Sequence, residues 1–436
     1  MIFLHRLIVC LGALLTLSPL TPARADLLID VTRGVSDAVP IAVVPFARAV
    51  PADGGLDVAA VVQRDLDASG RFKAMERRDM LSQPQRARDV VVADWRAARN
   101  DYIVVGRVVA NTSTELVIEF ELLNLLSGQV LLEQRVTVAP AALRFGAHRV
   151  ADLIYERLTG IRGAFSTRIA YVSVDNVGGG QRYQLLLADA DGENMRTILE
   201  SPQPILSPTW SADGEWVAYV SFENHASAVY VQRVRTGERR VVSSRAGING
   251  APAFSPDGRK LALTLSGTTA NPDIYVLDLA TQGLTRITED PAIDTEATWS
   301  PDGRFLFFTS DRAGGPQVYR VAAQGGEQPR RLTFGVPYAA RPRVSPDGQH
   351  LALVVRDGSG YHIAIQDLAN GQLRTLTRGS LDESPSFAPN GAQVIYAARE
   401  RGQGVLAAVS ADGQVSQRLK ADRGEVREPA WGPFPN

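Results

Sequence analysis

The chain has 436 residues, 45% hydrophobic and 21% charged, with 38 glycines and 25 prolines, a globular composition with length for about two or three domains and many tight turns. Its 46 basic and 47 acidic residues leave a net charge of −1, and the arginines are scattered. That balance lacks the basic excess of nucleic-acid-binding proteins, so no nucleic-acid partner is expected.

Residues 1–25 read as a secretion leader. His5 and Arg6 precede an apolar run from Leu7 to Leu17, and the segment ends in small residues at Ala23-Arg24-Ala25. This fits the A-x-A rule, so cleavage is expected between Ala25 and Asp26. The apolar run is too short to span a bilayer, and no later run is longer, so the exported chain is expected to have no membrane span. The single cysteine, Cys10, lies in the leader and lacks the setting of a lipoprotein cleavage site, which removes disulfide and cysteine-nucleophile chemistry. Without the leader, 44 basic residues face 47 acidic ones.

Residues 26–162 read as an α/β domain that begins with a mobile arm, 26–38. In the arm, Leu27, Ile29 and Val31 alternate with Leu28, Asp30 and Thr32, the pattern of a strand that adds to a partner's sheet edge or folds back on its own domain. "PIAVVPF" (Pro40 to Phe46) is a buried strand. Val58, Val61, Val62 and Leu66 then recur at helical spacing, with Gly70 at the C-terminal end. "DYIVVGRVVA" (Asp101 to Ala110) predicts a second buried strand. The run from Glu115 predicts a hairpin about Ser127-Gly128, with Leu116, Ile118, Phe120 and Leu122 on one face and Glu119 and Glu121 on the other. A helix over 142–159 carries Leu143, Ala147, Val150, Ile154 and Leu158 on one stripe and stops at Gly160.

From residue 163 to 436 helical periodicity is lost. "WSADGEWVAYVS", "FSPDGRKLALTLS", "WSPDGRFLFFTS", "VSPDGQHLALVV" and "FAPNGAQVIYAA" lead with Trp210, Phe254, Trp299, Val344 and Phe387, spaced by 43 to 45 residues. Trp431 and Phe165 continue the series at either end. Such a period built from short strands marks a β-propeller. In Ser-Pro-Asp-Gly, Pro presets φ, Asp bonds locally and Gly takes the positive φ. The following strand is apolar on both faces, as a blade sandwiched between two others requires. Third strands such as Asp273 to Leu279 and Tyr361 to Leu368 follow, then a short fourth. Six repeats fit between Phe165 and Trp431, and the first lacks an inner strand. The fold is therefore expected to be an N-terminal α/β domain followed by an all-β six-bladed β-propeller closed by the C-terminal strand.

Catalytic signatures are sparse. His148, His225, His350 and His362 are expected as surface or packed residues, because none lies within metal-ligand spacing of another. There is no G-x-S-x-G elbow and no P-loop, and "VGGGQRY" (Val177 to Tyr183) falls between two blade strands. "DADGEN" (Asp189 to Asn194) lacks the spacing and closing Glu of a calcium loop and reads as a turn. Three residues before each lead position stand Ser207, Ala251, Glu296, Arg341, Ser384 and Glu428. That mixed-charge mouth suits a protein-binding rim better than a ring of acids for a metal. No catalytic residue, metal or cofactor is expected, a Ca²⁺ in the channel being the one cofactor left open.

The leader, "PIAVVPF", "NGAPAFSPDG", "DTEATWSPDG", "GGPQVYRV", "ESPSFAPNG" and the closing "PAW" occur here in one order. In these phrases the chain resembles the TolB family, periplasmic components of the Tol-Pal system of Gram-negative envelopes, over essentially its whole length. The resemblance implies a non-enzymatic periplasmic scaffold, monomeric, that maintains outer-membrane integrity and constricts the envelope at cell division. It implies that the propeller binds the lipoprotein Pal and that the arm, Asp26, Leu27, Leu28, Ile29, Asp30 and Val31, signals to TolA. It implies other outer-membrane lipoproteins and colicins as further partners, colicins at the same propeller face. Carried over by position, the Pal rim falls on Ile248, Ala251, Thr295 and Glu296; register adds Arg341 and Glu383. Where the family pattern can carry a histidine this chain has Ile248, which implies an apolar contact there. Two other readings stand beside the scaffold: an exported propeller hydrolase or lactonase-like enzyme, and a glycan-binding module, which calls for aromatic platforms at the channel mouth.

Overall fold

A computed structural model describes residues 27–33, 38–48, 55–112, 114–269, 271–421 and 424–435. The leader, the cleavage position between Ala25 and Asp26, Asp26 itself and part of the arm lie outside the described residues.

The N-terminal domain is built on one sheet. Val39–Val43 lies inside it, parallel to Phe72–Ala74 at the edge on one side and to the central Tyr102–Ala110 on the other. Leu116–Asn124 and Val130–Val138 extend the sheet antiparallel as the expected hairpin, and Gly128 supplies the positive φ of its turn. Helices α1 (Val58–Ala68) and α3 (Leu143–Thr159) cover one face, burying Val58, Val62, Leu66, Val150 and Ile154 against Ile118, Phe120 and Leu122. Asp57 caps α1 by accepting the Ala60 N–H at 3.0 Å. The short α2 (Val92–Ala97) plugs the other face with Trp95. Gly160 ends α3 at φ 75°.

Six four-stranded antiparallel sheets follow, arranged as blades. The lead residues Trp210, Phe254, Trp299, Val344, Phe387 and Trp431 each end an inner strand. The last inner strand, Glu425–Trp431, pairs antiparallel with Arg168–Val177 and completes the first blade. Second strands are apolar on both faces and are buried between neighbouring sheets: Tyr219 and Val217 face one blade while Ala218 and Val220 face the next. Fully buried Tyr219 and Phe308 each contribute about 1.5–3 kcal/mol of transfer energy.

The repeated turn is a hydrogen-bond device. Ser300 Oγ donates to Asp302 Oδ1 at 2.6 Å and accepts the Phe305 N–H at 2.9 Å, while Asp302 Oδ1 accepts the Arg304 N–H at 3.0 Å. Ser211, Ser255 and Ser345 repeat the pattern with Asp213, Asp257 and Asp347. In each turn the glycine has φ near 70°.

Each inner strand enters its turn on one face of the ring, and the third-to-fourth-strand turns lie on that face too. The N-terminal domain packs there: Arg71 pairs with Asp412 at 2.5 Å, and Asn390 Nδ2 donates to Arg162 O at 2.8 Å. The opposite face carries the blade-to-blade connections and stays clear of the N-terminal domain. The arm strand, Leu27–Arg33, passes beside α1 but pairs with no strand of its own domain. It adds as a fifth strand to the last blade, antiparallel to Ser416–Ala421, with Leu27 opposite Ala421 and Arg33 opposite Ser416.

The turn hydrogen bonds hold Asp257 below the ordinary 3.8, chiefly through Ser255, and Asp302 at about 2, chiefly through Ser300. With folded values below the unfolded ones, these groups contribute stability that is present above pH 3.8 and lost as pH falls through about 2. Carboxylate titration by NMR should find Asp302 still ionised near pH 3, and Asp302→Asn should lower Tm at neutral pH while flattening its fall in acid.

Candidate partner-binding faces

At one position in every inner strand the ladder slips, and two residues oppose one on the second strand. The first residue of each bulge is left-handed: Ser207, Ala251, Glu296, Arg341, Ser384 and Glu428 have φ between 45° and 58°. A proline, which has no N–H to leave unpaired, follows at Pro208, Pro252, Pro342, Pro385 and Pro429; Ala297 is the exception. The bulge turns one side chain per blade toward the channel, and these are the six positions singled out by the repeat register.

They interlock. Arg341 Nε lies 2.9 Å from Glu296 Oε1, and Arg341 Nη1 lies 3.9 Å from Glu428 Oε1 and bonds Ser384 Oγ. Glu428 Oε2 accepts the Ser207 N–H at 2.7 Å. Thr309 Oγ1 accepts the Arg341 N–H at 3.0 Å and donates to Glu296 Oε2 at 3.2 Å. Burial alone would lower the Arg341 guanidinium, but Glu296 and Glu428 raise it above its ordinary value. The mouth is a closed charge network rather than an open ring of acids.

The structure brings Thr295, Glu296 and Arg341 together, with Thr295 Oγ1 3.3 Å from Thr264 Oγ1. Ala251 and Glu383 occupy the corresponding stretch of their own inner strands, half-buried. Ile248 stands in the connection before its inner strand, 47% exposed. Two residues of that face were not singled out from the sequence: Ile293, 48% exposed, and Phe334, 67% exposed and under the Arg331 guanidinium at 4.9 Å. Ile248, Ile293 and Phe334 occupy three consecutive blade connections on that face. Ile293 stands three residues before Glu296, as Ile248 does before Ala251, and that shared spacing was the available signal for it. Leu27 to Val31 lie in the arm strand on the last blade.

A second concentration of charge lies at the seam between the domains. His148 of α3 is 1% exposed, and its Nδ1 is 2.7 Å from Asp65 Oδ2 of α1. Its Nε2 is 3.8 Å from Asp189 and 3.9 Å from Asp191, both at a turn of the first blade. Arg144 bonds Asp191 and lies 3.6 Å from Asp189. Burial works to lower the His148 imidazole, but Asp65, Asp191 and Asp189 push it up to about 9. The expectation of a merely packed His148 missed this cluster, because its members are 83 residues apart or on different domains. "DADGEN" is the turn expected, and it also carries the first blade's half of the seam.

This is a propeller with exposed apolar residues on one face, the N-terminal domain on the other and an added edge strand: an architecture for holding other proteins. The "TolB beta propeller domain" family matches residues 155–435, and the "TolB amino-terminal domain" family matches residues 27–131. "Tol-Pal system protein TolB" of Xanthomonas oryzae pv. oryzae (strain PXO99A) is 49% identical over 428 residues, covering 97% of this chain and 96% of that protein. The protein of the same name from Xanthomonas campestris pv. campestris (strain B100) is 48% identical over 418 residues, 94% of each chain. The crystal structure of TolB from Acinetobacter baumannii superposes with a TM-score of 0.86 at 42% identity, covering 94% of this chain and 100% of that one. The chain belongs to the TolB family of Tol-Pal system proteins. It is a non-enzymatic scaffold of the cell envelope, and among the described residues no helix is long and apolar enough to cross a membrane.

Removing Arg341 strands Glu296 and Glu428 in a partly desolvated mouth. Arg341→Met should cost about 1–2 kcal/mol, read as a lower midpoint in denaturant, and adding Glu296→Gln should recover part of the loss.

Proposed function

We propose that this chain is the periplasmic hub of the Tol-Pal system, released from its leader between Ala25 and Asp26, with the free propeller face taking Pal and the arm engaging TolA. The observation that carries the reading is the rim itself. Ile248, Ile293 and Phe334 supply exposed apolar side chains, and Thr295, Glu296 and Arg341 supply polar partners, on the face away from the N-terminal domain. Apolar anchors around a few oriented polar groups are what a specific protein interface needs. Ala251 and Glu383 extend this rim along the channel wall. Through these contacts the chain supports outer-membrane integrity and envelope constriction at division. No cofactor is required for this binding role.

The arm supports the second half of the reading. A strand added to a sheet edge is held by main-chain hydrogen bonds, so it can leave one edge for another. Its present partner, Ser416–Ala421, leads within a few residues into the inner strand that carries Glu428, which faces Arg341. Occupation of the rim by Pal therefore biases the arm between its docked and released states, and TolA selects the released one.

In a calorimetric titration with the periplasmic domain of the cognate Pal, the wild-type chain should bind saturably. Glu296→Arg should weaken that binding at least about thirtyfold and Phe334→Ala about tenfold, with thermal melts unchanged for Phe334→Ala. No binding by the folded wild type sinks the Pal assignment. Deleting residues 26–33 should abolish TolA binding and leave Pal binding intact. If saturating Pal leaves TolA affinity unchanged, the coupling between rim and arm is wrong.

A further inference from the structure

The seam cluster has a feature that ion pairing leaves unexplained. His148 Nε2 is buried and has no hydrogen-bond partner. It points at the Asp189 and Asp191 carboxylates from 3.8 and 3.9 Å, too far for a hydrogen bond. A nitrogen and an oxygen each bound at about 2.0–2.2 Å to one tetrahedral ion lie roughly 3.3–3.6 Å apart, so a few tenths of an ångström of closure bring these groups to that spacing. On the other side of the ring, Asp65 sits 2.7 Å from Nδ1. A carboxylate on one imidazole nitrogen fixes the tautomer that leaves the other nitrogen's lone pair free for a metal.

Charge points the same way. With a neutral imidazole, the four carboxylates of Asp65, Asp189, Asp191 and Glu193 face two guanidinium groups, Arg144 and Arg64. One divalent ion makes up the difference. Nitrogen and carboxylate donors suit a borderline ion such as Zn²⁺.

We propose that His148 Nε2, Asp189 and Asp191 bind a divalent transition-metal ion, with Asp65 orienting the imidazole, and that the ion pins the N-terminal domain to the first blade. Binding at Nε2 displaces any proton held there to solvent. Arg144 is the rival cation, since its guanidinium already bonds Asp191 and lies 3.6 Å from Asp189. The site is independent of which partner occupies the rim.

The test is titration of the chelator-stripped full-length chain with Zn²⁺, followed by calorimetry and by metal analysis after desalting. One equivalent per chain is expected, with Tm rising as Zn²⁺ is added. Asp189→Asn, at the more open edge of the cluster, should weaken binding at least about tenfold, as should Asp191→Asn. His225→Gln, an exposed histidine far along the chain, should leave the titration unchanged. A folded wild type that retains no stoichiometric Zn²⁺ overturns the proposal. So does binding that survives both aspartate substitutions, or that His225→Gln removes. In either case Arg144 and an imidazolium at His148 account for the seam.

Discussion

Ring closure is the constraint on which the rest of this molecule depends. The first blade has no inner strand of its own, and Glu425–Trp431 supplies it by pairing with Arg168–Val177. An open ring would expose the edge of Arg168–Val177 and the inner faces of the first and last blades. The N-terminal domain sits across this same seam. It holds the last blade through Arg71 and Asp412, and the first through Arg144 and Asp191. Trp431 Nε1 bonds Thr167 Oγ1 at 2.8 Å, just after α3 hands the chain to the first blade, and Arg162 lies 3.7 Å over the Phe434 ring. The small domain is thus a second latch on the closure, and the seam between domains is also the seam of the ring.

Closure also sustains the backbone strain at the channel. A left-handed conformation costs a non-glycine residue about 1–2 kcal/mol, and six residues adopt it at the bulges. A strand isolated from its ring would relax toward regular pairing. Here side chains of the preceding blade accept the bulge N–H: Glu428 for Ser207, Thr264 for Glu296 and Thr309 for Arg341. The left-handed turn itself sets no single requirement on the side chain it carries. Serine, alanine, glutamate and arginine all occur there, and the composition of the mouth is set by what it contacts.

The propeller was legible in the sequence because its determinants are local and repeated. The Ser-x-Asp-Gly turns, the lead aromatics and the doubly apolar strands each express one blade's needs within a few residues, and the period multiplied the signal. The bulge positions came from the same register, though not their φ. What escaped was non-local. Nothing near His148 announces Asp65 or Asp191, since a packed histidine and a clustered one look alike in an amphipathic helix. Phe334 lies seven residues before Arg341, deeper in its connection than Ile248 or Ile293 in theirs, outside the register that found Glu296. The arm's alternation identified a strand, but strand pattern carries no address, and its partner on the last blade could not be read from it.

The arm's direction gives the two faces of the ring a physical connection. Arg33 pairs at the end of Ser416–Ala421 near the N-terminal domain, and Leu27 pairs at the end toward the free face. The chain therefore runs from the open face to the covered one along the outside of the last blade. Antiparallel addition to an edge asks only for a compatible backbone, so another strand of similar length can replace the arm, or the arm can join another sheet. Departure of the arm uncovers the edge of Ser416–Ala421, and that strand continues directly into the inner strand bearing Glu428. The edge that the arm protects lies on the last blade and Glu428 on the inner strand of the first, so one stretch of chain links the arm to the mouth across the seam where the ring closes.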